Sequence, residues 1–521
     1  MQQHVQRLLP ASTDEAAPTS APRPAPSSAR YTFVVMCNLG LALVYAMRCN
    51  LSVAAQSMQD QFGWSEPTKG WVLSAFFVGY FFGQVPGGWL ATRYGGKWVF
   101  GVGVLVTAVL TLALPVATCG TLLCPLNTTN ATNASSLASW TEPAHAHESS
   151  NLTALVLVRI LMGLCEGTTF PALYALFAKW VPPAERSRMV AWTLVGCQLG
   201  TIVAFPVSGW IASIVPAPGA GLVVYLERWP GVFYIFGSAG VLWFAMFCAT
   251  VYSSPADHPR IAAAERRYIE VAIGPAAETR VPPSLYLTLL TNRHSLAIFI
   301  GHATCNWAFY LMLTAMPMYV EKMLGFDLEN AGVLSVAPYL GYTCLATAAA
   351  PIADRLIPTH GRRRVRIGVQ LLASLLPAAL FIILGYTSDV AAAVALLTLA
   401  VSVSGINGSG FGANVLDICP RYSGILFSLS NTLATIPGIV APLVTGAIVQ
   451  DPPKMSQWQE VFYIAAAIFL FGFVVFARWS AGEPVAALNP DPPERDGTRG
   501  AAPSGRGGHV HDGRSSIKPT P

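Results

Sequence analysis

The chain has 521 residues, of which 53% are hydrophobic and 11% charged, and its mean hydropathy is +0.50. Soluble domains carry about 25% charged residues, so this composition excludes a soluble globular protein and indicates a chain that crosses a membrane many times. The formal net charge of +5 is the usual result of basic loops beside a membrane and does not indicate nucleic-acid binding.

Apolar windows of about 20 residues, the length that crosses ~30 Å of hydrocarbon as a helix, recur from residue 31 to residue 479. They predict an all-α membrane protein with twelve transmembrane helices. The predicted spans are residues 31–49, 71–92, 98–118, 151–178, 189–214, 230–252, 295–320, 330–353, 366–387, 389–413, 422–449 and 460–479.

A polar segment divides these spans into two halves of six. The predicted organisation is a disordered cytoplasmic N-terminal tail at 1–30, a first half at 31–252 with a long lumenal loop at 119–150, a cytoplasmic linker at 253–294, a second half at 295–480 and a disordered cytoplasmic C-terminal tail at 481–521. Pro, Ala and Ser dominate the first tail, which has no signal peptide pattern.

The distribution of Lys and Arg predicts the orientation, because cytoplasmic loops are enriched in both. The loops after the even-numbered spans carry most of these residues, whereas the loop at 119–150 has none. That loop also contains glycosylation sequons at Asn127, Asn130 and Asn133, which fit a lumenal face. Both termini are therefore predicted to be cytoplasmic. Cys119 and Cys124 share this loop, and their spacing allows a disulfide between them but does not establish one.

An internal repeat is visible after the second and the eighth spans, where GGWLATRYGGK (87–97) and APIADRLIPTHGRRRVR (350–366) combine small residues with following cations. The first string resembles the loop motif of the major facilitator superfamily. YAMRCNLSVA (45–54), GYFFGQVPGGWLA (79–91), EGTTFPALYALFAKWVPPAERSR (166–188), CNWAFYLMLTAMPMY (305–319) and SNTLATIPGIVAPLV (430–444) resemble its anion/cation symporter branch, which includes sialin and the vesicular glutamate transporters. The resemblance implies the twelve-helix fold of that superfamily and secondary active transport of anions, often coupled to protons.

Arg159 and Glu166 lie in an otherwise apolar span, which reads VRILMGLCEG at residues 158–167. A charge at the centre of a membrane helix costs about 2.5 to 3.5 kcal/mol on insertion scales, so each is expected to have a function. The two share a helix face but lie ~10 Å apart along its axis, so we expect no pair within the helix. Glu166 is the predicted proton carrier and Arg159 a predicted contact of the anion. The alternative for each is a fixed structural partner on another helix.

Arg48, at the end of the first predicted span, is the best candidate to bind a substrate carboxylate. Its guanidinium stays protonated and presents a planar fork of donors that matches a carboxylate. The resemblance implies the same role, and the alternative is an interfacial Arg that reaches lumenal headgroups. Tyr45, on the same face, and Tyr80, on the second span, are predicted to line the site, although packing alone would also explain them.

Three further kinds of residue complete the predicted site. His302 is the other titratable residue inside a span and is a second candidate for proton coupling, with a simple hydrogen-bonding role as the alternative. Asn431, which precedes an Ile-Pro-Gly break, is a predicted substrate contact. At the cytoplasmic ends, the predicted gate salt bridges are Asp417 with Arg421, and a second group formed by Glu185, Arg186 and Arg188.

Departures from the resemblance bear on the substrate. Sialin-like sequences tend to carry a second acid where this chain has Met162, and vesicular glutamate transporters carry an Arg where it has Cys305. The expected function is therefore proton-coupled transport of a small organic anion, sialic acid or another acidic sugar first. The alternatives are acidic amino acids such as aspartate and glutamate, inorganic anions such as phosphate, and a non-transporting receptor or scaffold.

No enzyme activity, cofactor or metal site is expected, because the sequence holds no paired catalytic residues, no Walker motif and no Cys/His cluster. The expected partners are the organic anion, the proton and the lipid bilayer. A lysosomal or vesicular membrane is the first expectation for the location, and the plasma membrane is the second.

Overall fold

The computed structural model describes residues 29–120, 151–182, 185–214, 229–273, 282–450 and 453–490, and every regular element in these ranges is helical. The α-helices are α1 Ala29–Phe62, α2 Glu66–Tyr94, α3 Gly96–Cys119, α4 Leu152–Gly167, α5 Thr169–Trp180, α6 Arg186–Ser213, α7 Trp229–Thr250, α8 Ala263–Ile273, α9 Pro283–Thr291, α10 Arg293–Met318, α11 Leu328–Leu334, α12 Ala337–His360, α13 Arg362–Leu384, α14 Val390–Ser404, α15 Phe411–Ile418, α16 Ser423–Leu433, α17 Ile436–Ile448 and α18 Met455–Trp479.

The predicted multi-pass membrane architecture is confirmed. Eleven segments of the described chain are helical, long and apolar enough to cross a membrane. The remaining predicted span is α2, whose 29 residues extend about 43 Å at 1.5 Å per residue and whose Gly, Tyr, Trp and Gln residues lower its hydropathy. Together they form the two six-helix halves.

Several spans consist of two helices in line. The fourth span is α4 and α5, broken at Thr168, and the eighth is α11 and α12. The tenth is α14 and α15, separated by a 3₁₀ turn at Gly405–Ser409, and the eleventh is α16 and α17. Irregular backbone at membrane depth is tolerated where it is enclosed by protein or lines a cavity. Ser335, Gly405 and Thr435, at three of these breaks, are buried.

The internal repeat predicted from the two basic motifs has matching backbone geometry. α2 ends at Gly95 with φ 87° and ψ 142°, and α12 ends at Gly361 with φ 79° and ψ 146°. This region of backbone space is accessible essentially only to glycine. In both copies the next helix begins at the following residue, which places the two turns at equivalent positions in the two halves.

Glycine residues allow α2 and α4 to meet backbone to backbone within the first half. A Cβ atom on Gly79 would overlap the carbonyl oxygen of Ile160, and a Cβ on Gly163 would overlap that of Phe76. Gly88, in contrast, has only Pro171 Cβ at 3.9 Å. Small residues at such crossings are the usual means by which membrane helices approach closely, and here they allow α2 and α4 to pack as a tight pair.

The two halves meet most closely at the end of the bundle where α2 begins, which is the predicted lumenal end. A Cβ on Gly70 would come within 2.6 Å of Pro442 O, and a Cβ on Gly332 would come within 2.6 Å of Phe205 O. Lys322, at the end of the α10 span, lies 3.7 Å from Glu66 Oε1 across the junction. This end of the bundle is therefore closed.

The linker between the halves is attached to the first half. Glu265 of α8 is 1% exposed and accepts hydrogen bonds from the backbone N–H groups of Ala29 (3.4 Å) and Arg30 (3.1 Å). These groups begin α1, where unsatisfied N–H groups and the helix dipole favour a carboxylate. The guanidinium of Arg30 also lies 5.0 Å from the centre of the Tyr268 ring. α1 thus begins inside the predicted tail at 1–30.

The predicted disordered tail from residue 481 is wrong for residues 481–490, which we call the C-terminal strap. Leu488 is fully buried, Val485 N donates to Ile418 O at 3.0 Å, and Asn414 Nδ2 donates to Ala481 O at 2.7 Å. The Pro- and Gly-rich composition predicts disorder, but Val485 and Leu488 are spaced so that both apolar side chains pack against the second half. The rest of the predicted tail lies outside the described residues.

Candidate functional site

Arg48 lies in the interior of α1 and not at its end, which corrects the predicted first span of 31–49. The helix continues for fourteen residues beyond Arg48, to Phe62, and Arg48 is 4% exposed. A long side chain this far from either helix end does not reach headgroups. The alternative of an interfacial arginine is therefore excluded.

Arg48 pairs with Glu166 across the first half. Arg48 Nε donates to Glu166 Oε1 at 2.7 Å, and Arg48 Nη2 donates to the same oxygen. Glu166 has no exposed surface and is the second-to-last residue of α4, beside the break at Thr168. Neither charge faces lipid, and each has the other as its partner.

Aromatic rings surround the Arg48 guanidinium. Its Cζ atom lies 4.3 Å from the centre of the Tyr45 ring, 4.7 Å from that of Tyr80 and 5.2 Å from that of Phe76. A guanidinium over an aromatic face gains electrostatic attraction, and the gain is larger when the pair is away from water. Tyr45 and Tyr80 therefore lie beside the guanidinium of Arg48, at the predicted site.

Arg159 completes the buried charged cluster. It is 2% exposed, its Nη2 lies 3.5 Å from Arg48 O, and its Cζ atom lies 5.1 Å from the centre of the Phe76 ring. Within the described chain, Nε and Nη1 of Arg159 and Oε2 of Glu166 have no hydrogen-bond partner. As expected from their spacing, Arg159 and Glu166 form no ion pair with each other in the described residues.

The charges in this cluster do not balance. Two guanidinium groups, Arg48 and Arg159, face one carboxylate, Glu166, which leaves one uncompensated positive charge in a buried site when Glu166 is ionised. Buried charges are normally paired, and the free N–H groups of Arg159 are donors without an acceptor. The arrangement can accept one negative charge with oxygen atoms, such as a carboxylate.

The second half contributes to the same region. Tyr310 and Tyr339 pack in the same apolar cluster as the core of the first half, and the Tyr310 ring lies 4.6 Å from that of Phe77 on α2. Asn431, the predicted substrate contact on α16, donates to Gln84, which lies one turn from Tyr80 on α2. The charged cluster therefore lies in the first half, beside the surface that the second half covers.

Sequence reasoning missed Gln84, which is hydrogen-bonded to Asn431. Asn431 Nδ2 donates to Gln84 Oε1 at 2.7 Å, and Gln84 Nε2 donates to Thr435 Oγ1 at 2.9 Å. The available signal was an amide side chain inside an apolar span, within the string GYFFGQVPGGWLA. Gln84 links α2 of the first half to both helices of the eleventh span.

A second missed group lies at the closed end. Lys69 Nζ lies 2.7 Å from Glu66 Oε2 and donates to Gln59 Oε1 at 2.7 Å, while Gln59 Nε2 donates to Glu66 Oε1 at 2.8 Å. Lys69 lies outside the predicted second span of 71–92, but in the structure it lies inside α2 and is 3% exposed.

His302, the second predicted proton-coupling residue, lies inside the second half. Its Nδ1 atom is 2.9 Å from Ser430 Oγ, and its ring stacks on Phe411 at 4.6 Å and on Phe427 at 5.9 Å. A neutral hydroxyl partner and two aromatic faces are what a structural histidine requires. The contacts favour the structural interpretation of His302.

The predicted gate pair of Asp417 with Arg421 is wrong. Asp417 Oδ2 accepts from Arg366 Nε of α13 at 2.8 Å, and Arg421 Nη1 donates to Pro490 O of the C-terminal strap at 2.9 Å. Residues 417 and 421 are separated by the turn between α15 and α16, so their side chains diverge to different neighbours. Both contacts lie within the second half.

Glu185 also has another partner than the one predicted. Its carboxylate lies 3.2 Å from Arg30 Nε, at the beginning of α1. The side chain of Arg186 is outside the described part of the chain.

The predicted glycosylation sites Asn127, Asn130 and Asn133 also lie outside the described residues. Cys119 is disulfide-bonded. Among the described residues, no group of three or more His, Cys, Asp or Glu side chains is suited to a metal ion.

Comparisons with known proteins agree with this architecture. The Major Facilitator Superfamily model matches residues 37–442. Sialin of Homo sapiens is 33% identical over 505 residues, covering 90% of this chain and 92% of sialin. Vesicular glutamate transporter 2.1 of Danio rerio is 32% identical over 484 residues, covering 89% and 76%. These relatives are transporters and not enzymes.

Among solved structures, the fold is similar to a bacterial homologue of the human lysosomal transporter Spinster, in an inward-facing and unoccupied conformation. The TM-score is 0.65 at 15% identity, with 88% of this chain and 99% of that chain covered. A D-xylose–proton symporter gives a TM-score of 0.63 at 14% identity, with 87% and 99% covered. At these identities the likeness shows the fold alone.

Proposed function

Because the chain belongs to the Major Facilitator Superfamily, we propose that it is a proton-coupled secondary transporter of organic anions across an organelle membrane. Sialic acid or another acidic sugar is the first proposed substrate class. The similarity to sialin and to a vesicular glutamate transporter over about nine-tenths of the chain supports anion transport.

The observation that carries the proposal is the excess of one positive charge in the buried cluster of Arg48, Arg159 and Glu166. A monovalent anion brings the cluster to neutrality while Glu166 is ionised, and it keeps the cluster at its resting charge when Glu166 is protonated. A guanidinium offers a bidentate fit to a carboxylate. The two unpartnered N–H groups of Arg159 supply further donors. We propose Arg48, Arg159, Tyr45, Tyr80 and Asn431 as the substrate contacts.

Proton coupling follows from competition between two carboxylates for Arg48. When Glu166 takes up a proton, it loses its charge and releases the guanidinium, and the substrate carboxylate takes its place. The charge of the cluster is then the same before and after loading, because one negative charge replaces another. The halves can therefore close over the loaded site without burying additional charge. Glu166 is the first candidate for the proton carrier, and His302 is the second.

The placement of charge also bears on the substrate class. Glutamate and aspartate have one net negative charge, as sialic acid has, but each also brings an ammonium group that needs a negatively charged partner. The carboxylate of the cluster, Glu166, is engaged by Arg48. An acidic sugar brings one carboxylate and a ring that packs against tyrosine faces, such as those of Tyr45 and Tyr80. Acidic amino acids and inorganic anions such as phosphate are the second candidates.

Alternating access is the proposed transport cycle, with the halves rocking around a site between them. The close contact of the two halves at the end where α2 begins supports a state that is closed on the lumenal side. This assignment assumes that both termini are cytoplasmic, as the distribution of Lys and Arg predicts. A lysosomal or vesicular membrane is the proposed location, and glycosylation of Asn127, Asn130 and Asn133 in the lumen is proposed with it.

Uptake into proteoliposomes tests the function. Labelled sialic acid, glutamate, aspartate and phosphate are offered with and without an imposed difference of two pH units, which can support about a hundredfold accumulation of a monovalent anion moved with one proton. We expect pH-driven uptake of sialic acid, and no uptake by Arg48→Ala. If none of these anions changes the fluorescence of a pH-sensitive dye inside the vesicles, the protein would instead be a receptor or scaffold.

A further inference from the structure

One face of α2 contacts the eleventh span along a continuous line, which we call the seam. The two helices run in opposite directions, so the contacts descend in order from the closed end. The contacts are Glu66 with Gly446, Gly70 with Pro442, Ser74 with Ile439, Phe77 with Gly438, and Gln84 with Asn431 and Thr435. The seam thus joins the two halves from the beginning of α2 to Gln84.

Gln84 is the last contact of the seam. Beyond it, the described residues of α2 make no hydrogen bond, ion pair or ring contact with the second half. Gly88 lies one turn beyond Gln84 on the same face, and a Cβ there would have only Pro171 of the first half within 4 Å. The boundary between joined and separated halves therefore lies at this one amide.

Gln84 also spans the break in the eleventh span. α16 ends at Leu433 and α17 begins at Ile436. The Gln84 carbonyl oxygen accepts from Asn431, which lies on α16, while its amide nitrogen donates to Thr435 at the start of α17. The side chain uses its acceptor on one side of the break and its donor on the other.

We infer that Gln84 is a positioning residue for the conformational cycle, which holds the end of the seam and fixes the angle between α16 and α17. An amide is required because one group must both accept and donate, and a buried group that loses its partners is destabilised. Loss of the Gln84 bridge destabilises the closed seam, so the closed end opens more often. The inference rests on the proposed rocking of the halves.

A thiol reporter in the seam tests this inference without any substrate. Thr445 is 3% exposed and lines a small cavity between the halves, together with Glu66, Lys69 and Pro442. Thr445→Cys is introduced into the full chain in proteoliposomes, and its initial rate of labelling by a membrane-impermeant maleimide is measured. The parent chain without this substitution gives the background from native cysteines.

We expect Gln84→Met and Thr435→Val each to raise the labelling rate, by about tenfold for Gln84→Met, which corresponds to about 1.4 kcal/mol. The double variant is expected to label no faster than Gln84→Met, because both changes remove the same bond. Thr435→Ser keeps the hydroxyl and should label like the reporter alone. If Gln84→Met does not fold, the labelling rates of Thr435→Val and Thr435→Ser still test whether the hydrogen bond from Gln84 keeps the seam closed.

Ser74→Ala is the matched control, since it removes a single hydrogen bond from the middle of the seam, Ser74 Oγ to Ile439 O at 2.8 Å. Unchanged labelling in Gln84→Met and Thr435→Val would overturn the inference, and so would an equal increase in Ser74→Ala. Labelling is measured without an anion or a pH gradient. Failure of the transport proposal would appear only in the uptake panel.

Discussion

Arg48 and Glu166 stand 118 residues apart in the chain and form one buried ion pair that joins α1 to α4. The ion pair excludes an interfacial position for Arg48 and a lipid-facing position for either residue, because both side chains are buried against each other. It also gives each residue a partner that a substrate carboxylate or a proton can replace.

Removal of one member of this pair should destabilise the protein more than removal of both. Breaking a buried ion pair by deleting one partner costs about 3–5 kcal/mol, because the other charge is left uncompensated. We expect Arg48→Ala to lower the melting temperature in detergent, and Arg48→Ala/Glu166→Ala to recover part of the loss. Thermal unfolding measured at neutral pH checks this. Additive losses would show that the two side chains act independently.

Glu166→Gln should separate exchange from proton-driven transport. The amide imitates the protonated carboxylic acid and cannot release a proton, so the variant should exchange labelled for unlabelled sialic acid but should fail to accumulate it from a pH gradient. Counterflow and pH-driven uptake are measured on the same vesicles. Glu270→Gln, an exposed residue on α8, is the control and should behave like the parent chain. Normal accumulation by Glu166→Gln would remove Glu166 from the coupling mechanism.

His302→Gln distinguishes the two interpretations of that histidine. Gln preserves a polar partner for Ser430 but cannot titrate, so a structural His302 predicts an unshifted pH profile of uptake. We expect a modest loss of stability, of about 1 kcal/mol, from the altered hydrogen bond. Uptake is measured over a series of lumenal pH values. Loss of the pH dependence would assign proton coupling to His302.

Gly163→Val should prevent folding or strongly reduce the yield of folded protein. Its side chain would overlap Phe76 O, where α4 and α2 meet backbone to backbone, and overpacking a tight contact typically costs about 1–3 kcal/mol or more. Gly88→Ala is the matched control, because the nearest atom to its Cβ is Pro171 Cβ at 3.9 Å. Monodispersity in size-exclusion chromatography is compared. Equal behaviour of the two variants would contradict the crossing.

Truncation at two positions tests the C-terminal strap. A chain ending at residue 480 loses the buried Leu488 and the hydrogen bonds to Ile418, so its melting temperature should fall. A chain ending at residue 490 keeps these contacts and should melt like the full chain. Burial of a leucine side chain alone contributes about 1.5–3 kcal/mol. Identical melting of both truncations would show that the strap does not stabilise the second half.

The spans and the two-half organisation were predictable from the sequence because long apolar windows have few alternatives in a membrane protein. The length of α1 was not predictable in this way. Residues 50–62 carry Asn50, Gln56, Gln59 and Asp60, so hydropathy ends the first span early. In the fold, Gln59 is satisfied by Lys69 and Glu66 at the closed junction, which hydropathy cannot register.

The composition of the site was predictable, but its pairings were not. A charge in an apolar span stands out by its cost, and Arg48, Arg159 and Glu166 were found in that way. The identity of each partner depends on which helices cross, as with Arg48 and Glu166 or Asp417 and Arg366. Gln84 was missed for a related reason, since an uncharged amide becomes informative only when its two neighbours are known.

The matching turns at Gly95 and Gly361 give the molecule an internal replicate. Both adopt nearly the same φ and ψ, but they belong to different halves. An identical Gly→Ala change at each position therefore imposes the same local strain at two sites in one polypeptide. A difference in transport rate between the two variants therefore measures how differently the two halves depend on this turn.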